Sequence, residues 1–288
     1  MSFYPYFNLR NLSYLIGLSM IRAIFFDIDG TLLSFETHRV PQSTQHALFR
    51  LREQGVKLFV ATGRPPKTAA YLREVFNFPF DGYVTMNGQY CLVNGQVIYD
   101  NCIPTESIAS LLPYLEEQQI ACNFVEEDFI YTNFHNDLTR ELSRKLGGED
   151  IFGPTVDVRR ALAHKVYQLS AFITEPEEPA FLRHIPGCKA ARWMPLFTDI
   201  MPVNGGKPVG MDQIIGHFGI APDEVMAFGD GGNDLDMLVH AQIGVAMGNA
   251  VDAVKAAADY ITDDVDHDGV WNALINLGIL QGCVSGDK

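Results

Sequence analysis

Two carboxylates two residues apart, directly behind an apolar run, are the first residues in this chain that could do chemistry. Asp27 and Asp29 lie in Asp27-Ile28-Asp29-Gly30-Thr31, after the run Ile21 to Phe26. At this spacing one carboxylate can attack phosphorus to give an acyl phosphate, while the other moves protons for the leaving group and for water. Gly30 lets the backbone turn sharply and frees amides to face anionic oxygens. An acidic turn after a strand has the same look, so this loop alone decides little.

A second loop repeats the pattern near the other end of the chain. Gly229-Asp230-Gly231-Gly232-Asn233-Asp234 follows the apolar run Val225 to Phe228. Taken singly it also reads as a helix cap at Asn233 with a dipole-favoured acid beside it. Asp230 and Asp234 added to Asp27 and Asp29 would crowd one crevice with anions, and their coexistence calls for a cation. Hard oxygen donors with room left for a phosphate suit Mg²⁺. Thr62, at the end of Val56 to Ala61, can offer its hydroxyl to a phosphate oxygen, with the Gly63 amide following. Lys207 stands before an expected helix and can neutralise both a nucleophile and phosphoryl oxygens. Either residue alone is ordinary structure or surface; their order along the chain gives them weight.

The elements that must position these residues alternate. Buried-type strands at 21–26, 56–61 and 83–86 enclose a helix near 43–54 and a helical stretch to Phe76. Such alternation predicts an α/β fold, a parallel sheet covered on both faces. The pattern then changes. Asn87-Gly88 and Asn94-Gly95 bracket a short apolar run, a strong hairpin signal, and helices near 105–119 and 136–146 mix with strand-like 121–125 and 165–173. Alternation resumes with a helix from Pro208, strands at 225–228 and 243–247, and helices near 233, 250–257 and 269. The expected organisation is a leader at 1–20 outside the fold, a discontinuous core domain at 21–85 and 197–288, and an inserted α+β domain at 86–196. Ligands in open parallel sheets bind at the carboxyl ends of the strands, where Asp27, Thr62 and Asp230 fall.

In order along the chain, Asp27-Ile28-Asp29-Gly30-Thr31, Thr62-Gly63-Arg64, Lys207 and Gly229-Asp230 through Asn233-Asp234 resemble the four motifs of the haloacid dehalogenase-like superfamily. Within it the chain is similar to Cof-type phosphatases with a type IIB cap, over about 21–280. The resemblance implies a Rossmann-like parallel-sheet core with an inserted α+β cap. It implies a Mg²⁺-dependent phosphatase acting on small phosphorylated metabolites, sugar phosphates among them, through an aspartyl-phosphate. Asp27 would be nucleophile and metal ligand, and Asp29 the acid and base, with its backbone carbonyl on Mg²⁺. Asp230 would be a further ligand, Thr62, Gly63, Lys207 and Asn233 would hold the phosphoryl group, and Asp234 would support the metal's surroundings. The superfamily's dehalogenases lack the second acid, so Asp29 points to phosphate. The lysine is often followed by Gly; here Pro208 follows, which suits a first helical turn. A phosphomutase using the same phospho-Asp and a non-catalytic ligand-binding regulator are the alternatives.

Composition limits the partners. At 288 residues and a net charge of −14, long-range repulsion opposes nucleic acid and anionic membranes, while a small anionic ester needs only a local cation. Cys91, Cys102, Cys122, Cys188 and Cys283 lack ligand spacing and read as free thiols of a reducing cytoplasm. Asp264 to Gly269 mimics the start of a calcium loop, but Ile275 stands where its last acidic ligand belongs. Gly229-x-Gly231 fails the dinucleotide pattern at Asp234. His164 is expected to be structural or solvent-facing, and Arg159, Arg160 and Lys165 could present positive charge to a substrate but are not taken as specificity residues.

Overall fold

The computed structural model describes residues 20–145 and 152–281; the expected leader falls outside them except for Met20. The strands, in chain order, are Ala23–Phe26 (β1), Lys57–Ala61 (β2), Gly82–Thr85 (β3), Tyr90–Val93 (β4), Gln96–Asp100 (β5), Cys122–Val125 (β6), Ile130–Thr132 (β7) and Gln168–Ala171 (β8). Cys188–Met194 (β9), Phe197–Pro202 (β10), Val225–Gly229 (β11), Ile243–Ala246 (β12) and Tyr260–Ile261 (β13) complete them.

Every residue of β1 is apolar and buried, as a strand covered on both faces requires. It pairs in parallel with β2 and β11. The full sheet runs β13-β12-β11-β1-β2-β3-β4-β5, and a second sheet runs β7-β6-β8-β10-β9. In the first sheet the chain steps outward from β1 through β2 to β3, then restarts at β11 on the opposite side of β1. The reversal of strand order lies between β1 and β11, and it leaves a crevice beyond their carboxyl ends. Asp27 follows one strand and Asp230 the other, and the Asp27 N–H donates to the Phe228 carbonyl at 3.0 Å.

Sheet pairing moves the boundaries expected from sequence. β4 and β5, expected in the insert, extend the first sheet, β4 antiparallel to β3 and β5 antiparallel to β4. The reason is the Asn94-Gly95 turn, left-handed at both residues (φ 52° and 75°), which folds β5 straight back along β4. β10, expected in the first sheet, pairs with β8 and β9 in the second. With Thr198 and Asp199 inside it, Phe197–Pro202 carries no apolar run to mark it as a strand of either sheet. By sheet membership the insert lies between Asp100 and the glycines before Lys207.

Helices cover the sheet as the periodicity predicts. Gln42–Glu53 (α1) buries Thr44, Ala47, Leu48 and Leu51 on one stripe and packs with Phe26, Met226 and Phe228. On the other face Lys207–Phe218 (α2) sends Met211, Ile214 and Ile215 onto Phe25 and Phe59. The second sheet has its own core of Leu111, Phe124, Tyr131, Leu169, Phe181 and Ile200. No helix among the described residues is long and apolar enough to cross a membrane. Cys91, Cys102, Cys122 and Cys188 are free thiols, three of them buried; Cys283 lies outside the described residues.

Candidate active site

The β1 and β11 loops bring Asp27, Asp230 and Asp234 together, with carboxylate oxygens within 4.8 Å of one another. Lys207, on the first turn of α2, is buried among them. Its Nζ donates to Asp27 Oδ1 at 2.6 Å, to Asp234 Oδ1 at 2.5 Å and to the Ala61 carbonyl at 2.7 Å. The ammonium thus spends its three protons on the nucleophile candidate, the second acidic loop and the end of β2, fixing three loops about one charge.

Asp234 acts as a brace. Its Oδ2 accepts the N–H groups of Asp230 at 3.0 Å and Gly231 at 2.9 Å, so both its oxygens are engaged inside the protein. Asp230 is oriented from the first loop, because the Thr31 hydroxyl donates to its Oδ1 at 2.8 Å. Gly30 adopts φ +86°, and a Cβ there would collide with the Asp230 carboxylate and the Phe35 ring. Only glycine therefore admits the close approach of the two loops. Asn249 ties the first loop from outside, donating to the Gly30 carbonyl at 2.8 Å while accepting the Val265 N–H at 3.0 Å.

One ammonium among three buried carboxylates leaves an excess of negative charge. Burial, then Asp234, hold the Asp27 carboxyl well above its ordinary range, with Lys207 opposing them. Burial and Asp234 raise Asp230 to about 7 against the pull of the Thr31 hydroxyl. Burial works against the Lys207 charge, yet Asp234 and Asp27 outweigh it and raise its pKa above the ordinary lysine value. A hard divalent cation fits this donor set: carboxylate oxygens in need of positive charge, with Asp234 already committed elsewhere. Asp27 and Asp230 are the side chains free to hold it.

Asp29 stands apart from that cluster. Its two oxygens take Arg64 Nε at 2.7 Å and Nη2 at 2.6 Å, a partly exposed bidentate pair. Thr62 is buried, with its N–H given to the Val84 carbonyl at 2.8 Å and its oxygen accepting the Arg64 N–H at 3.1 Å. Gly63 lies against the Asn87 amide, since a Cβ there would meet it at 3.2 Å. Asn233 donates to Asn87 Oδ1 at 3.0 Å. The eight residues singled out from sequence thus lie on adjoining loops of one crevice.

Arg64, Thr31, Asn87 and Asn249 also shape the site, and sequence reasoning gave none of them a role. Arg64 and Thr31 stood inside the motifs. Asn87 carried a turn signal, and Met86, Asn87 and Gly88 prove left-handed in succession (φ 50°, 52°, 93°). Nothing local marked Asn249. The basic residues set aside from sequence are engaged by acids: Arg160 with Glu126 at 2.6 Å and Lys165 with Asp100 at 2.5 Å.

Residues 24–274 match the family described as haloacid dehalogenase-like hydrolase. The chain is 33% identical over 260 residues to YkrA of Bacillus subtilis strain 168, which carries a phosphatase designation, spanning 90% of this chain and 99% of that protein. Among solved structures it resembles the subclass IIB sugar phosphatase BT4131, with 44% identity, a TM-score of 0.81, and coverage of 90% of this chain and 100% of the other. It also resembles the phosphatase BT1666 from Bacteroides thetaiotaomicron, with 34% identity, a TM-score of 0.84, and coverage of 91% and 96%. The chain belongs to the haloacid dehalogenase-like hydrolases, as a Cof-type phosphatase with a Rossmann-like core and a cap.

Proposed function

We propose that this phosphatase hydrolyses phosphate monoesters of small metabolites, sugar phosphates foremost, through a covalent phosphate on Asp27, with Mg²⁺ as cofactor. The observation that carries the reading is the buried Lys207, 2.6 Å from Asp27 and 2.5 Å from Asp234. A positive charge fixed beside a buried carboxylate at the end of a central strand suits an attack on an anionic ester.

In the first step an Asp27 oxygen forms a bond to phosphorus as the ester oxygen leaves. Asp29 gives that oxygen its proton. In the second step Asp29 takes a proton from water, the water oxygen attacks phosphorus, and inorganic phosphate departs, restoring Asp27. Lys207 sets its charge beside the phosphoryl group, the Thr62 hydroxyl holds a phosphoryl oxygen, and Gly63 and Asn233 lie beside them. Asp27, Asp230 and the backbone carbonyl of Asp29 would hold Mg²⁺, and Asp234 keeps Lys207 and the second loop in place. When bound, the metal supplies charge that offsets the repulsion between Asp27 and the phosphate. Sugar phosphates are favoured by the likeness to a structure named as a sugar phosphatase.

The test is phosphate release from a panel of phosphorylated metabolites, with Mg²⁺ or chelator, for the wild type and Asp27→Asn, together with analysis of the organic product. Metal-dependent release, lost in Asp27→Asn, with the dephosphorylated alcohol as product, is expected. Release that survives Asp27→Asn, or an isomerised phosphate ester as the main product, would overturn the reading.

A further inference from the structure

Stretches that lie far apart in sequence meet at the turn between β3 and β4. Met86 and Asn87 both stand in the left-handed region, at φ 50° and 52°, and Gly88 follows at 93°. A methionine takes up that conformation only against steric resistance, and such a run persists only where the surrounding structure holds it. Here the Met86 N–H donates to the Arg64 carbonyl and the Asn87 N–H to the Thr62 carbonyl, each at 3.0 Å. On the other side a Cβ on Gly88 would lie 2.9 Å from the Lys207 backbone nitrogen. The turn is thus pinned to the Thr62 loop and pressed against the start of α2.

The buried Asn87 side chain works in two directions. Its Nδ2 donates to Gln168 Oε1 at 2.9 Å and to Asp199 Oδ2 at 3.0 Å, both in the second sheet. Its Oδ1 accepts from Asn233 Nδ2 at 3.0 Å, in the second acidic loop. A side-chain amide carries two donors on its nitrogen and an acceptor on its oxygen, and an ionised carboxylate can only accept. The NH₂ end must therefore face Asp199, which leaves the oxygen for Asn233. With the amide turned over, two NH₂ groups would oppose each other and Asp199 would face an oxygen. Gln168 and Asp199 are themselves buried, and a buried acceptor deprived of its donor is destabilising. The insert thus selects the orientation that Asn233 meets.

We infer that Asn87 is a positioning residue that carries the seating of the insert to the phosphoryl-binding loops: Gln168 and Asp199 fix its amide, and the amide fixes Asn233. The inference rests on the phosphatase reading and adds the link by which an insert that supplies none of the reacting groups governs the rate. With the insert displaced, the amide is free to turn toward water, and Asn233 loses its acceptor. Gly63 loses its backing too, since its Cβ position lies 3.2 Å from the Asn87 amide.

The experiment measures kcat/KM for p-nitrophenyl phosphate with Mg²⁺, beside thermal midpoints, in the wild type, Gln168→Met, Asn233→Ala and their double variant, each with Asn87 present or changed to Gly. Glycine keeps the left-handed backbone without strain, so the change removes the side chain alone. Asn87→Gly is expected to lower kcat/KM by about 10–100-fold, the cost of a misplaced group at the reacting centre. Gln168→Met and Asn233→Ala touch opposite ends of the Asn87 amide, and their joint loss is expected to fall short of the product of the single losses by about 3-fold or more. With Asn87→Gly in place, Gln168→Met is expected to alter kcat/KM by less than about 2-fold. An Asn87 that only braces the fold would lower the thermal midpoint and leave the two losses independent, and that result would overturn the inference. So would wild-type kcat/KM in Asn87→Asp, which keeps the acceptor for Asn233 but sets a carboxylate against Asp199. Either result leaves the phosphatase reading intact, whereas wild-type turnover of no ester at all would remove both.

Discussion

Arg64 grips both carboxylate oxygens of Asp29, through Nε at 2.7 Å and Nη2 at 2.6 Å. A carboxylate held at both oxygens must release one before it can reach a leaving oxygen. With Asp29 as the proposed acid, Arg64 sets where that acid waits and how far it moves. Arg64→Ala is expected to lower kcat on alkyl phosphates by about 10–100-fold, in the range of lost general acid–base help, with a smaller change in KM. Aryl phosphates, whose leaving group is stable as an anion, should be affected less. Steady-state kinetics on the two ester classes checks this; equal losses on both would show that Arg64 does not act through Asp29.

Lys207 is the sole buried cation among the described groups of the acidic cluster, so its removal has a structural consequence as well as a chemical one. Lys207→Ala leaves Asp27 and Asp234 facing each other without a counterion. Breaking a buried pair of this kind costs about 3–5 kcal/mol. Urea unfolding in chelator should show a loss of that order, and phosphate release should fall below detection.

The metal-free protein should be less stable at pH 8 than at pH 5. Asp230 rises from an ordinary value of 3.8 to about 7 on folding, and Asp27 rises too. A carboxyl raised by folding contributes stability that is full below its unfolded pKa and lost as pH climbs through the folded one, here between about 4 and 7. Glu177 and Glu224 shift downward, and their contribution changes below the pH 5–8 window. Thermal unfolding in chelator should give the higher midpoint at pH 5. Mg²⁺ should narrow or reverse the gap by stabilising the ionised acids.

Thr31 touches no substrate in the proposed mechanism, yet its hydroxyl fixes Asp230 at 2.8 Å. Thr31→Val keeps the shape and removes that hydrogen bond. Groups that orient a metal ligand are worth about 10–100-fold in affinity. Calorimetric titration of Mg²⁺ should show a weakening of that order, with saturating Mg²⁺ restoring most of the turnover.

Much of this architecture could be read from the chain because β1, β2 and β11 are each short apolar runs that end at a chemically distinctive residue. Asp27, Thr62 and Asp230 could be placed at one sheet edge by that regularity alone. Phe197–Pro202 was placed with the core domain because nothing in its mixed apolar and polar residues ties it to the insert, and only long-range pairing with β8 and β9 decides. Asn249 and Asn87 escaped for a related reason. An asparagine gains its meaning from the distant atom it bonds, here Gly30 on one side and Gln168 with Asp199 on the other. The pairing of Asp29 with Arg64 was hidden although both residues were in view, since spacing along the chain carries no information about facing across a crevice.

The chain leaves the first sheet after β5 and returns just before α2, and the two crossing tracts run side by side. The Asn101 amide reaches the Asn204 side-chain oxygen at 3.3 Å, and the returning tract is seated against the turn before β4, where a Cβ on Gly88 would strike the Gly206 carbonyl. Two neighbouring strands of backbone make a poor rigid strut but a good pivot. Transplanting a different insert requires matching only two chain ends that already lie together. The inserted unit can thus be exchanged while the first sheet and its acidic loops stay as they are.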